Sequence, residues 1–134
     1  MISIFYIFLD PLGNKSSKIG MTSHLKVRLG QYQNSYSCDS HLAQFDVAYI
    51  GKLDVITSLE NAVKRRYADD IKHEGRGFTE WISGYSSMEI EQEVDKIIAG
   101  YRFKVEKVPA KYLPITIDNA EKLLENLTNN KTTA

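Results

Sequence analysis

Four residue types that can cut a phosphodiester stand in order along this chain. Tyr6 lies in an apolar run, Lys18-Ile19-Gly20 begins twelve residues later, Arg28 comes ten residues beyond Lys18, and Glu60 follows. Hydrolysis of a phosphodiester needs an in-line nucleophile, neutralisation of the phosphate charge and help for the leaving oxygen. A divalent metal can supply the last two and acidify its own water. A single carboxylate such as Glu60 can hold Mg2+ or Mn2+ that keeps several waters and is completed by the substrate phosphate. Arg28 can clamp a phosphate oxygen bidentately, which a lysine does less well. Tyr6 or Lys18 can take the proton of the attacking water, but ordinary values of about 10 and 10.4 mean that either must be shifted or assisted by the metal. On paired strands each can influence the other.

The elements that must position these residues are readable from the patterning. Residues 2–9 alternate apolar side chains onto both faces, as in a central strand covered on each side. Asp10 to Asn14 is a turn signal, and residues 16–21 return as the second strand of a hairpin, with Lys18 and Gly20 on one face. Thr22 or Ser23 can cap a helix to about Tyr36, with Leu25, Leu29, Tyr32 and Tyr36 inward and Arg28 on or beside that stripe. A third strand is expected over 43–53 and a helix over 57–73, whose stripe is Leu59, Ala62, Val63, Tyr67 and Ile71, with Glu60 at its edge. Phe78 to Ile82 reads as a short extended piece, 87–99 as a helix, 101–108 as a strand, and 118–127 as a capped amphipathic helix.

Each residue also has a plainer explanation. Tyr6 can be a core aromatic and Lys18 a solvated strand residue. Arg28 can pair with Asp46 or Asp54, or with Glu60 in the core, since an unpaired buried charge is costly. Thr57-x-x-Glu60 has the form of a capping box. Lys64-Arg65-Arg66 can grip a nucleic-acid backbone or face solvent, and Tyr32 and Tyr36 can stack on bases or pack in the core. The literal Tyr49-Ile50-Gly51 lies 43 residues after Tyr6, in the expected third strand, and reads as a decoy.

Taken together, Ile4-Phe5-Tyr6, Lys18-Ile19-Gly20, Arg28 and Glu60 resemble the GIY-YIG nuclease superfamily. The lysine of the second motif looks like the branch with small phage or virus proteins. The resemblance covers roughly residues 2–82, and Phe78-Thr79-Glu80-Trp81-Ile82 looks like the Glu-Trp-Phe segment that closes the small phage-type domain. It departs in lacking the first motif's glycine and a clear match for the asparagine after the glutamate helix, where Glu80 stands instead. The resemblance implies that Tyr6 is the general base, that Lys18 assists it and orients water, that Arg28 stabilises the transition state, and that Glu60 holds the metal. Tyr32 fits the slot one turn after the arginine.

The expectation is therefore an α/β (α+β) chain with a small, mainly antiparallel three-stranded central sheet flanked by helices. Residues 1–84 would form the nuclease domain and 85–134 a helical extension packed on it. The expected function is a metal-dependent DNA endonuclease, with RNA as a second substrate class, Mg2+ or Mn2+ as cofactor, and Lys26, Tyr32, Lys64 and Arg65 as nucleic-acid contacts. The alternative is a non-catalytic nucleic-acid or protein-binding module on the same fold, which zero net charge, 17 basic against 17 acidic residues, favours modestly. With 43% apolar and 25% charged residues the chain suits one globular domain. One cysteine, Cys38, excludes an internal disulfide and a multi-cysteine zinc site. A soluble cytoplasmic or nuclear protein without membrane contact is expected, as a monomer or homodimer; cutting both strands would take two active sites or two successive nicks.

Overall fold

A computed structural model describes residues 1–9, 16–35, 44–73, 80–116, 118–123 and 125–126. The expected turn over Asp10 to Asn14 lies outside the described residues, as do Tyr36, Cys38, His41, Gly75 to Phe78 and the side chains of Tyr32, His73, Glu80 and Trp81. Among the described residues no helix is long and apolar enough to cross a membrane.

The centre of the molecule is β1 (Ile2–Leu9), which pairs antiparallel with β2 (Ser16–Thr22) on one side and β3 (Phe45–Lys52) on the other. The sheet is wider than the three strands expected. Among the described residues it has six, in the order β4-β5-β2-β1-β3-β6, with β4 (Ile71–His73) and β5 (Glu80–Ser83) beyond β2 and β6 (Val105–Lys107) beyond β3. β5 falls on the extended piece expected at Phe78 to Ile82 and β6 within the strand expected over 101–108; β4 lies where a helix was expected and, at three residues, is too short for period-2 alternation to announce.

β1 is apolar on both faces because both are covered. On one face Ile4, Tyr6 and Phe8 join Phe45, Ala48 and Ile50 beneath Leu25 and Leu29 of α1 (Leu25–Ser35), together with Ile115, Ala120 and Leu123 from the tail. On the other, Phe5, Ile7, Ile19, Val47 and Tyr49 meet Ile56, Leu59 and Val63 of α2 (Leu53–Arg66) and Ile90 and Val94 of α3 (Ser87–Tyr101). A bulge at Ile7/Phe8 lets two residues of β3 oppose one of β1. It turns Phe45 onto the α1 face, where strict alternation from Val47 would have placed it on the other.

Two helix boundaries correct the expectation. α2 starts at Leu53 rather than 57, so Thr57 is interior and its hydroxyl donates to the Leu53 carbonyl at 2.8 Å. Thr57 and Glu60 therefore form no capping box; Lys52 is the N-cap and offers no side-chain bond. The box that does form is Ser86 with Glu89 at the start of α3. α2 also ends at Arg66, not 73, and Ile71 belongs to β4 rather than to the helix stripe. Residues expected as the capped final helix are helical at 120–123 and 125–126, preceded by Asn119, whose side chain accepts from the Thr116 amide at 2.8 Å.

Candidate active site

Tyr6 is set by its two cross-strand neighbours, Gly20 on β2 and Ala48 on β3. Both are small, so the phenol can lie across the sheet instead of standing up from it. Its ring stacks on Phe45 with centroids 3.9 Å apart and planes at 11°. Its hydroxyl occupies the space over Gly20: a Cβ there would lie 2.5 Å from Oη and 2.8 Å from Cζ. The glycine of Lys18-Ile19-Gly20 is thus the floor beneath the tyrosine. Ile19 is buried against α2, so alternation puts Lys18 on the same face as Tyr6 and Gly20. In register, Lys18 lies opposite Phe8 on β1 and Trp81 on β5. The second motif and the Glu80-Trp81 segment are therefore neighbours in the sheet.

Arg28 and Glu60 arrive from opposite faces. β2 and β3 both run antiparallel to β1, so they end at the same end of the sheet; α1 returns over one face and α2 over the other. Arg28 lies about one turn into α1 and Glu60 about two turns into α2. Their directions follow from what the opposite flank of each helix touches. On α1, Lys26 and Arg28 flank the buried Leu25 and Leu29. Lys26 pairs with Glu121 at 3.4 Å, in the tail that joins β3 through the Phe45–Ile115 bridge. That leaves the Arg28 flank turned toward β2. On α2, Arg66 pairs with Glu93 of α3 at 2.9 Å, whereas Thr57 Oγ1 lies 3.6 Å from Met21 Sδ of β2. Glu60 and Lys64 continue the Thr57 flank along the helix. Arg28 and Glu60 thus stand on the β2 side of their helices, and β5 covers only Ser16 to Lys18 of the β2 margin.

The electrostatics at this margin are uneven. Glu60 is 16% exposed and its carboxylate takes the Lys64 ammonium at 3.5 Å in an i,i+4 pair. Arg28 is half-buried and, among the described residues, has no carboxylate partner. The acids expected as its structural partners are engaged elsewhere: Asp46 accepts from the Gln44 amide at 3.0 Å and Asp54 from the Val55 amide at 2.9 Å. Burial raises the Asp46 carboxyl above its ordinary value, with the Gln44 bond opposing it.

A metal would have one carboxylate here. Among the described residues no group of three His, Cys, Asp or Glu side chains could enclose an ion. Glu60 alone suits Mg2+, which keeps several waters and takes its remaining ligands from substrate phosphate, and does not suit an ion held by protein alone.

Of the other expected contacts, Lys64 sits beside Glu60, Lys26 is on the far flank of α1, and Arg65 is on the solvent side of α2. The side chain of Tyr32 lies outside the described residues. Tyr49, of the literal Tyr-Ile-Gly, faces α2 and α3 rather than α1; its hydroxyl donates to Asp95 at 2.6 Å. Burial and then the Asp95 bond hold its phenol well above the ordinary tyrosine range. Tyr49→Phe should cost about 1 kcal/mol in thermal or urea unfolding and leave any nuclease activity unchanged.

What sequence reasoning missed is the role of Phe45 and Ala48 in holding Tyr6. The signal was a small residue, Ala48, in an otherwise bulky central strand. No curated protein and no solved structure matches this chain significantly. The T5orf172 domain does, over residues 3–102, from the first buried residue of β1 to the end of α3. That span takes in Tyr6, Lys18, Arg28, Glu60 and the β5 neighbour of Lys18, and since it covers most of the chain, the chain belongs to the T5orf172 domain family.

Proposed function

We propose that this protein is a metal-dependent DNA endonuclease of the GIY-YIG type. The observation that carries the reading is that Arg28, half-buried on the helix that covers the face of Tyr6 and Lys18, has no acid partner among the described residues. A half-buried arginine without a carboxylate suits an anion supplied by the substrate. Membership of a family of phage-derived domains found in nuclease-type proteins supports the same reading.

In this mechanism Arg28 grips a non-bridging phosphate oxygen and stabilises the charge that develops there. Tyr6, held over Gly20, acts as its phenolate: it takes the proton from the attacking water and returns to the neutral phenol. Lys18, next on the same face, stabilises the negative charge of the phenolate before that transfer. Glu60 would hold a divalent ion, which when bound supplies charge neutralisation and a more acidic water. Lys64, 3.5 Å from the Glu60 carboxylate, holds it in place until then.

The test is incubation of supercoiled plasmid with the purified protein in Mg2+ or Mn2+ and in EDTA. Nicking that needs the metal is the expected result; intact plasmid with either ion would sink the catalytic reading. A binding module without catalysis is the second reading. One observation favours it: Tyr6 is 1% exposed and stacked on Phe45, as a core aromatic would be. Salt-dependent DNA binding with no cleavage would select it.

A further inference from the structure

A cavity lies across the sheet from the β2 margin. It opens between the end of β3, β6, the start of α2 and the single 3-10 turn Ala110–Tyr112, with a volume of about 960 Å3. Its floor is apolar, from Ile2, Ile50, Val105 and Tyr112. Its rim is basic: Lys52, Lys104, Lys107 and Lys111 all line it.

The disposition of these lysines is unlike that of several basic residues elsewhere. Carboxylates take Lys26, Lys64 and Arg66, and within this cavity Lys107 is tied to Glu91 and, at 3.0 Å, to Asp95. Lys52, Lys104 and Lys111 have no carboxylate partner among the described residues. Two acids also stand in the lining: Asp54, which accepts the Val55 amide, and Glu106, which has a partner of its own. Lys52, Lys104 and Lys111 together outnumber the two carboxylates of the lining, and a polyanion suits that excess of positive charge. The N-terminus of α2 opens onto the same space.

An inorganic anion would satisfy the rim but leave most of the volume and the apolar floor unfilled. The cavity falls in the size range of small-molecule sites, roughly 300–1,000 Å3. Tyr112 offers an aromatic surface, with Lys111 Nζ 5.0 Å from its ring centroid, so flat ring and charge are presented together. The geometry points to a nucleotide-binding site, with the base against the floor and Tyr112, and the phosphates on Lys52, Lys104 and Lys111. The nucleotide can be free or a unit of a single strand.

The test uses the full 15N-labelled chain titrated with ATP, with pyrophosphate and with a short oligothymidylate, and does not involve cleavage. ATP or the oligonucleotide should shift the amides of Gly51, Lys52 and Val105 saturably. The Lys52→Ala/Lys104→Ala pair should weaken that binding roughly tenfold or more, with the spectrum otherwise unchanged. Tighter binding of ATP than of the oligonucleotide identifies a free nucleotide; the reverse order identifies a single strand. Unmoved amides at millimolar ATP and oligonucleotide would overturn the site. Pyrophosphate binding as tightly as ATP would also overturn it, because the base would then contribute nothing.

Discussion

Arg28→Ala should abolish plasmid nicking and leave the protein folded. Removing a group that stabilises transition-state charge costs on the order of 10²-fold or more in rate. The stability side follows from the described residues: no carboxylate pairs with Arg28, so truncation strands no buried acid. Leu25 and Leu29, which anchor α1, are untouched. Glu60→Gln should behave likewise in metal-dependent cutting. Glu60 is a mid-helix residue rather than a cap, and glutamine has nearly the same helix propensity. Among the described residues the substitution loses the pair with Lys64, about 0.3–0.5 kcal/mol for such an i,i+4 contact. Nicking rates measured beside thermal unfolding decide the matter. Either variant cutting at the wild-type rate would remove that residue from the mechanism, and loss of cooperative folding in Arg28→Ala would assign the arginine to the core.

Gly20→Ala should damage both stability and activity, far beyond what one methyl group would suggest. The new Cβ would lie 2.5 Å from the Tyr6 hydroxyl, and the ring cannot retreat, because Phe45 is stacked on it at 3.9 Å and the whole residue is 1% exposed. Overpacking of this kind costs about 1–3 kcal/mol, several degrees in unfolding temperature. Because the displaced group is the phenol, nicking should fall with it. Gly30→Ala is the matched control. It sits in α1 with nothing within 4 Å of the added methyl, and should be neutral or stabilising by about 0.5–1 kcal/mol. Equal unfolding temperatures for the two variants would show that Tyr6 does not lie where its packing puts it.

The parts of this fold that sequence makes visible are those with long periodic signals. β1 announces itself because seven of its eight residues are apolar, on both faces, and α3 because Ile90, Val94, Ile97 and Ile98 recur at helical spacing. The pattern Ser/Thr-x-x-Glu occurs at both Thr57 and Ser86, and only the second is a cap. The difference lies in where the backbone leaves its strand. The Leu53 amide bonds to the Met1 carbonyl at 2.9 Å, so α2 begins at that corner, before Thr57. No local motif encodes that contact. The four candidate residues were legible as an ordered set, but not their directions. That Arg28 and Glu60 stand on the β2 side of their helices depends on Lys26 meeting Glu121, 95 residues away, and on Arg66 meeting Glu93.

The tail has a bearing on how this domain can be divided. Family similarity stops at 102, yet Phe45 is held by Ile115 through two backbone bonds of 2.9 Å, and Val108 bonds to the Ala48 carbonyl. Those two β3 residues are the ones that flank Tyr6. A fragment trimmed to the recognisable family region would keep every motif and lose the clamp on its tyrosine, so the smallest unit with an intact site extends to Leu123 at least.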